Sequence, residues 1–261
     1  MTGNQKSDIY TLLKAAKSWT YGYIPAEYKA EPPAFLDDIA EEMITPVTPS
    51  APQPSSSIDT VSSKISQCHN CILSQTRKNV VPGEGVAHPV VMVIGEGPGE
   101  DEDNTGRPFV GKAGQLLDKM LAAIELDRSC NCYIANIVKC RPPMNRTPMP
   151  DEAAACQGFL EAQIHLLKPT LILAAGRTAA QNLLHTEQGI NSLRGKWFDY
   201  HLGNNEKSPA IPLLATFHPS ALLRDPGLKR PAWEDLKVFR TKLLELAPDY
   251  ASSYKASHPQ A

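Results

Sequence analysis

From Gln67 onward, short apolar segments alternate with segments of helical periodicity, and this alternation constrains the fold more than any other feature. The apolar segments are residues 90–94, 133–138, 170–175 and 211–216, and helices are predicted near residues 116–124, 152–167, 178–184 and 233–246. Strands that are apolar on both faces are typical of a parallel sheet covered by helices on each side. We therefore predict an α/β fold whose functional residues lie at the carboxyl ends of the strands.

The first 66 residues have a different character. Apolar residues at helical spacing predict short amphipathic helices within residues 1–44, and a segment rich in Pro and Ser, typical of a linker, follows at residues 45–66. We expect residues 1–44 to form a loosely attached arm, with a peptide that docks on a protein partner as the alternative. The folded domain is expected at residues 67–248, followed by a tail at residues 249–261.

The formal net charge of −2 at first argues against a nucleic-acid partner. The excess acid lies in residues 1–64, however, which hold 5 Lys and Arg against 8 Asp and Glu, whereas the remaining residues hold 21 against 20. Because binding to a polyanion needs a local basic face rather than a basic total, the charge excludes no such partner. No apolar run approaches the roughly 18 residues that span a bilayer, and no signal sequence is recognisable. We expect a cytoplasmic protein without membrane association.

Four of the six cysteines are spaced as ligands of a metal centre: Cys68, Cys71, Cys140 and Cys156. The first two form a C-x-x-C pair in a polar context, the third ends a predicted strand, and the fourth lies in the next helix, so all four can converge. Four thiolates suit zinc or an iron–sulfur cluster. The alternatives are unrelated buried cysteines, or a site in which Cys130 and Cys132 replace the later pair.

A glycine-rich acidic loop directly follows the apolar segment 90–94. It begins with Gly95, Glu96 and Gly97, and it holds five acids within residues 96–103. Glycines at a strand end let the backbone approach a ligand closely, whereas so many acids would repel a phosphate. The motifs of dinucleotide-binding and P-loop proteins are missing. Glu96 is therefore a candidate functional acid, and Glu100 and Asp101 are expected in a solvated turn.

The apolar segment 211–216 ends in Phe-His-Pro-Ser at residues 217–220. The proline restricts the backbone and thereby orients the side chain of His218, which makes a functional histidine more plausible than a structural one. Apolar and basic residues follow: Leu222, Leu223, Arg224, Lys229 and Arg230. An apolar side chain flanked by cations can wedge into a base stack while the cations contact phosphates.

These three groups of residues, in this order, resemble family 4 of the uracil-DNA glycosylases, the iron–sulfur branch of that superfamily. The resemblance covers about residues 68–246 and rests on the C-x-x-C pair and on GE-x-PG, GRPFVGKAGQLLD, NIVKCRPP and HPS. It implies a three-layer α/β/α sandwich with a central, mainly parallel four-stranded sheet, and it makes residues 67–248 the glycosylase domain. It also implies a structural 4Fe–4S cluster held by Cys68, Cys71, Cys140 and Cys156.

The resemblance implies roles for the residues at the strand ends. Phe109 would stack on a flipped uracil, and the amide of Asn136 would hydrogen-bond to its Watson–Crick edge. Gly95 and Gly97 belong to the loop that we expect to exclude the methyl group of thymine. His218 would donate a hydrogen bond to uracil O2, and Glu96 would act on the attacking water or on the sugar cation.

The resemblance also implies contacts with DNA. Leu222, Leu223 and Arg224 would enter the minor groove, and the phosphate contacts would come from Lys229, Arg230, Arg194 and Lys196. Glu102 is a weaker second candidate for the acid. Gly97 stands where the family loop more commonly has alanine. A related group that forms covalent DNA adducts has a longer, histidine-containing insertion after the strand NIVK, and the short segment here disfavours that activity.

We therefore predict a monofunctional uracil-DNA glycosylase of base excision repair, which hydrolyses the N-glycosidic bond of uracil in DNA and leaves an abasic site. No lysine in these motifs is placed to form a Schiff base, so strand cleavage is not expected. The alternatives are a catalytically silent DNA-binding or DNA-polymerase-associated module of the same fold, and a zinc protein of unrelated function. We expect uracil-containing DNA as the partner, and a monomer.

Overall fold

The computed structural model describes residues 57–259, which contain a six-stranded sheet with helices on both faces. Its strands are β1 (Glu84–Gly85), β2 (Val91–Gly95), β3 (Cys132–Asn136), β4 (Leu171–Ala175), β5 (Trp197–Tyr200) and β6 (Ile211–Thr216). The helices are α1 (Ile58–Ser66), α2 (Glu100–Thr105), α3 (Lys112–Ala122), α4 (Pro150–Leu167), α5 (Arg177–Leu184), α6 (Ile190–Leu193), α7 (Pro219–Arg224), α8 (Lys229–Leu246) and α9 (Ser252–Ser257).

The strands lie in the order β1-β3-β2-β4-β6-β5. The inner four are parallel to one another, and β1 and β5 pair antiparallel at the two edges. The four strands expected from the sequence are the parallel ones, so the expected sheet is correct in its centre but lacks the edges. Neither edge strand has the apolar run of a buried parallel strand, because β1 has two residues and three of the four residues of β5 are partly or fully exposed.

Side chains of the parallel strands alternate between two apolar cores, one on each face of the sheet. Met92 and Ile94 pack in the core that α4 and α5 cover, whereas Val91 and Val93 pack in the core that α3 and α8 cover. The three-layer α/β/α sandwich is thereby confirmed. Because all four parallel strands run the same way, their carboxyl ends meet at one edge of this sandwich.

Helix α1 lies within the segment expected to be a linker. Its N-cap is Ser57, whose hydroxyl accepts a hydrogen bond from the amide of Thr60 at 3.3 Å. Val61 and Ile65 are buried against Phe159 of α4. The linker prediction is therefore wrong for residues 58–66, where three apolar residues at helical spacing outweigh the Pro/Ser-rich composition of the preceding residues.

The segment expected to be a C-terminal tail also packs on the domain. Tyr250 is buried, and its hydroxyl donates to the carbonyl of Ile124 at 2.9 Å. Tyr254 of α9 is buried as well. The predicted arm, residues 1–44, lies outside the described residues. Within residues 57–259, no helix is both long and apolar enough to cross a membrane.

Candidate active site

A cavity of about 840 Å³ opens where the four parallel strands end. Each strand end contributes a wall residue: Glu96 after β2, Asn136 of β3, Gly176 after β4 and His218 after β6. A cavity of this size accommodates a ligand as large as a nucleotide. The structure thus gathers three of the residues singled out in the sequence, from positions more than a hundred residues apart.

Asn136 has an amide oxygen that nothing in the protein satisfies. The residue is 1% exposed, and among the residues that the structure describes, its Oδ1 is the one buried side-chain nitrogen or oxygen without a hydrogen-bond partner. Leaving a buried acceptor unpaired is unfavourable by about 1–3 kcal/mol. An orphaned polar atom that lines a cavity is accordingly a strong sign of a ligand that supplies the missing donor.

Gly95 lets the ring of Phe109 lie close to the amide of Asn136. A Cβ on Gly95 would lie 2.5 Å from Asn136 Oδ1 and 2.5 Å from Cζ of Phe109, so a larger residue would displace both. Gly97 is equally confined, because its Cβ would lie 2.8 Å from a methyl group of Val138. The two glycines therefore allow a close approach of the loop, and an alanine at position 97 would require Val138 to move.

The backbone of Phe109 is held in the left-handed region, at a φ of 52°, which is uncommon for a residue with a side chain. Arg128 stabilises this turn by donating to the carbonyls of Pro108 at 2.6 Å and of Phe109 at 2.9 Å. The same guanidinium is anchored to Asp118 at 2.7 Å. Gly114 provides the space, since a Cβ there would overlap the carbonyl of Phe109. Arg128 thus acts as a positioning residue for the aromatic ring.

His218 is the N-cap of α7 and lies partly buried beside the ring of Phe109, at 5.6 Å between ring centroids. Burial, together with the nearby Arg224, lowers its pKa from 6.5 to about 4, so the imidazole is neutral at physiological pH. Its Nδ1 accepts the backbone N–H of Ser220 at 3.2 Å, which places the proton on Nε2. The side chain therefore presents a neutral N–H donor.

Two acids of the glycine-rich loop have different partners. Glu96 lines the cavity, and its Oε2 accepts the hydroxyl of Thr178 at 2.5 Å. Glu102 instead accepts three backbone N–H groups, from Gly99 at 3.0 Å, Val110 at 2.8 Å and Gly111 at 2.9 Å. These contacts fasten the loop to the turn that carries Phe109. Glu102 therefore has a structural role in the loop, and Glu96 remains the candidate functional acid.

The residues expected on DNA fall into two groups. Leu223, Arg224, Lys229 and Arg230 are exposed, as is Lys196. Leu222, by contrast, is 2% exposed and packs with Phe217 and Ala232, so the expectation that it enters the groove is wrong. Arg194 is also engaged elsewhere, because it pairs with the buried Asp235 and stacks on Phe217. The apolar side chain available to DNA on α7 is therefore that of Leu223, which is 46% exposed.

All four cysteines singled out as ligands line one small cavity between α1 and α4. Burial raises the pKa of Cys71 and Cys140, and it raises that of Cys156 to about 12. No three His, Cys, Asp or Glu side chains in residues 57–259 are gathered tightly enough to hold a single ion. Cys130 and Cys132 do not line this cavity, and Cys132 belongs to the core that α3 and α8 cover.

Arg77 and Lys139 surround the cysteine cavity with positive charge. Arg77 donates to Sγ of Cys140 at 3.1 Å and to the carbonyl of Cys68 at 2.8 Å. Lys139 is fully buried and donates to the carbonyl of Asn136 at 2.9 Å and to Gln163 at 2.7 Å; burial lowers its pKa to about 8. Cationic donors around four thiols fit a centre that carries thiolates, such as an iron–sulfur cluster.

Several residues that build the site were not identified from the sequence. Gly176 has a φ of 98°, and a Cβ there would lie 2.7 Å from the Cβ of His218, so the glycine admits the histidine. Thr178 and Arg128 act through Glu96 and Phe109. Each is an ordinary helix or loop residue whose partner lies far away in the chain. Of these residues, Gly176 alone could have been noticed in the sequence, because it directly follows the apolar segment 170–175.

Comparison with known proteins agrees with this geometry. The family model of the uracil DNA glycosylase superfamily matches residues 82–237. A type-4 uracil-DNA glycosylase of Thermotoga maritima is 44% identical over 183 residues, which are 69% of this chain and 91% of the relative. Type-4 enzymes of Pyrobaculum aerophilum and Sulfurisphaera tokodaii are 41% and 39% identical, over 67% and 70% of this chain and 89% and 84% of theirs. The chain therefore belongs to the uracil-DNA glycosylase superfamily, in its type-4 branch.

Proposed function

We propose that this protein excises uracil from DNA, hydrolysing the N-glycosidic bond and leaving an abasic site. The observation that carries the proposal is the unsatisfied amide of Asn136, which lies beside the ring of Phe109 at the end of the sheet. A base-excising enzyme must flip its target into a pocket that stacks on the base and reads its Watson–Crick edge. These two side chains supply the two functions.

The amide of Asn136 distinguishes uracil from cytosine. Its oxygen would accept the N3–H of uracil and its nitrogen would donate to O4, whereas cytosine presents an unprotonated N3 and an amino group. The orphaned Oδ1 thereby gains the donor that the protein does not provide. The loop of Gly95 and Gly97, packed tightly on Phe109 and Val138, would leave no space for the methyl group of thymine.

Bond cleavage places negative charge on the base and positive charge on the sugar. The bond between C1′ and N1 breaks, and its electron pair leaves with uracil; the Nε2–H of His218 would stabilise the anion at O2. Water attacks C1′ and loses a proton, and the carboxylate of Glu96 would stabilise the sugar cation and accept that proton. Thr178 holds the carboxylate in place. The departing uracil anion takes up a proton at N1 from solvent.

Cys68, Cys71, Cys140 and Cys156 would hold a 4Fe–4S cluster, as four free thiols around one cavity with cationic neighbours suggest. When bound, the cluster supplies a structural cross-link and no chemistry of excision. Its ligands join the end of α1, the segment after β3, and α4. Arg77 and the backbone amide of Asn70 donate to sulfur atoms of this set.

A uracil-excision assay tests the proposed function. Incubation with a duplex that contains one uracil, followed by alkali, should break the strand at that position. Glu96→Gln keeps a partner for Thr178 but removes the charge, so we expect a rate about 100-fold lower. Glu100→Gln is the matched control in the same loop, because Glu100 is 65% exposed, and it should stay within about twofold of the wild type. No product from the wild type would favour the silent DNA-binding module, and full activity in Glu96→Gln would refute the role of Glu96.

Iron and acid-labile sulfide analysis tests the cluster. The purified wild type should be brown and contain both elements, and Cys140→Ser should lose them together with thermal stability. Cys130→Ser is the control, since Cys130 is half-buried outside the cysteine cavity, and it should keep the wild-type content. A colourless protein that contains zinc would contradict the cluster assignment but leave the excision proposal standing.

A further inference from the structure

The short segment after β3 carries an apolar side chain that faces solvent beside the active-site cavity. Met144 is 93% exposed, the highest value among the exposed large hydrophobic residues of the described chain. Its backbone is in the left-handed region, at φ 53° and ψ 25°, and Asn145 follows at φ 55°. A side chain makes this conformation unfavourable. The chain thus holds a methionine outward on a strained turn, without any contact in the protein core that would explain it.

The turn that presents Met144 is firmly braced. The amide of Asn145 donates to the carbonyl of Pro142 at 3.0 Å, and Arg141 donates to the side chain of Asn145 at 2.7 Å. Arg146 makes two hydrogen bonds with the buried Glu152, at 2.8 and 2.6 Å. Pro142 is buried as well. The methionine is therefore held by a fixed support rather than on a mobile loop.

The position of the turn indicates which ligand Met144 would contact. Pro142, Asn145 and Arg146 line the active-site cavity, and so do Ser220, Ala221 and Arg224 of α7. Met144 and Leu223 are the exposed large hydrophobic residues within these two segments. The cavity wall holds three exposed cations that can contact phosphates, Lys112, Arg177 and Arg224, and two exposed acids, Glu100 and Asp101. DNA that delivers a nucleotide into the cavity would therefore pass close to both apolar side chains.

We propose that Met144 is a second apolar contact with duplex DNA, packing on the bases beside the flipped nucleotide while Leu223 of α7 packs from the other segment. An apolar wedge stabilises an unstacked step by covering the exposed base faces. Two wedges would hold the gap open on both sides of the departing nucleotide. The proposal rests on the proposed function, because it assigns a way of opening the duplex to the same site.

Excision from duplex and from single-stranded DNA tests the proposal. Met144→Gly removes the wedge while suiting the left-handed backbone, so the variant should fold at least as well as the wild type. We expect kcat/KM for a uracil-containing duplex to fall about tenfold, because the variant loses the burial of one apolar side chain against the bases. On a single-stranded oligonucleotide of the same sequence, which needs no opening, it should stay within about twofold.

Conservative rescue and a matched control complete the experiment. Met144→Leu should restore excision from the duplex, and Leu244→Ala, at an apolar position of α8 that is 41% exposed and outside the cavity lining, should leave both substrates unaffected. A Met144→Gly variant with the wild-type rate on duplex would overturn the proposal, as would an equal loss on both substrates. If the wild type excised uracil from neither substrate, the proposed function itself would fail, and the two outcomes are thus distinguishable.

Discussion

Replacing His218 with alanine should lower the single-turnover rate of uracil excision by about 100- to 1,000-fold, the usual effect of removing one donor to a developing anion. The reason is the partly buried, neutral imidazole, whose Nε2–H has no counterpart in alanine. Iron content and the far-ultraviolet circular dichroism should not change. Ser220→Ala is the control at the same helix start. It removes a hydroxyl 2.8 Å from Nδ1 but keeps the backbone N–H that fixes the tautomer, so its loss should be much smaller.

The lowered pKa of His218 adds a dependence on pH. The folded protein keeps the imidazole neutral down to about pH 4, whereas the unfolded chain binds the proton near pH 6.5. Between these values the unfolded state binds more protons, so this contribution to stability is complete above pH 6.5 and is lost as the pH falls toward 4. The difference in melting temperature between the wild type and His218→Ala should therefore shrink from pH 7 to pH 5. A difference that grew instead would contradict a neutral histidine with a lowered pKa.

Replacing Asn136 with leucine should abolish most excision without destabilising the protein. Leucine has a similar length but cannot form the two hydrogen bonds to uracil, and it leaves two polar atoms of the base unpaired, so we expect kcat/KM to fall about 1,000-fold. The orphaned Oδ1 disappears at the same time. The free energy of unfolding in urea should then stay constant or rise by about 1 kcal/mol.

A second buried asparagine provides the matched control. Asn131, just before β3, is 2% exposed, and its side chain makes hydrogen bonds with the backbone of Asp127, Glu125 and Tyr250. Asn131→Leu should therefore lower the free energy of unfolding by about 3 kcal/mol and yet retain excision wherever the protein is folded. If Asn136→Leu destabilised the protein as Asn131→Leu does, or kept its activity, the assignment of Asn136 as the base reader would be wrong.

The sequence was sufficient for the centre of the fold because its signals are local. Each parallel strand is largely apolar, and the candidate polar residues Glu96, Asn136 and His218 lie at or just beyond the strand ends. Strand β1 could not be predicted from two residues whose pairing depends on Tyr133 and Ile134. Helix α1 was missed because proline and serine dominate the composition of the segment before it.

The site residues could be predicted where their role follows from residue type. They could not be predicted where their role depends on packing or hydrogen bonds with other parts of the chain. Leu222 and Leu223 are equivalent in the sequence, and only the packing of α7 on Phe217 decides which of them is buried. Glu96 and Glu102 are both acids of one loop, but three backbone donors occupy the second. Arg128 supports Phe109 from 19 residues away, and no local pattern marks such a contact.

Residues 137–139 separate Asn136, the proposed base reader, from Cys140, a proposed cluster ligand, and their backbone is fixed on both sides. The amides of Ile137 and Val138 donate to Gly95 and Glu96, and the carbonyl of Lys139 accepts from Val81. Because this segment is short and its backbone is hydrogen-bonded on both sides, it cannot accommodate a change in length. An insertion or deletion here would displace the amide of Asn136 or the thiol of Cys140. Under the roles proposed for these two residues, base selection and cluster binding would both depend on one uninterrupted stretch of chain.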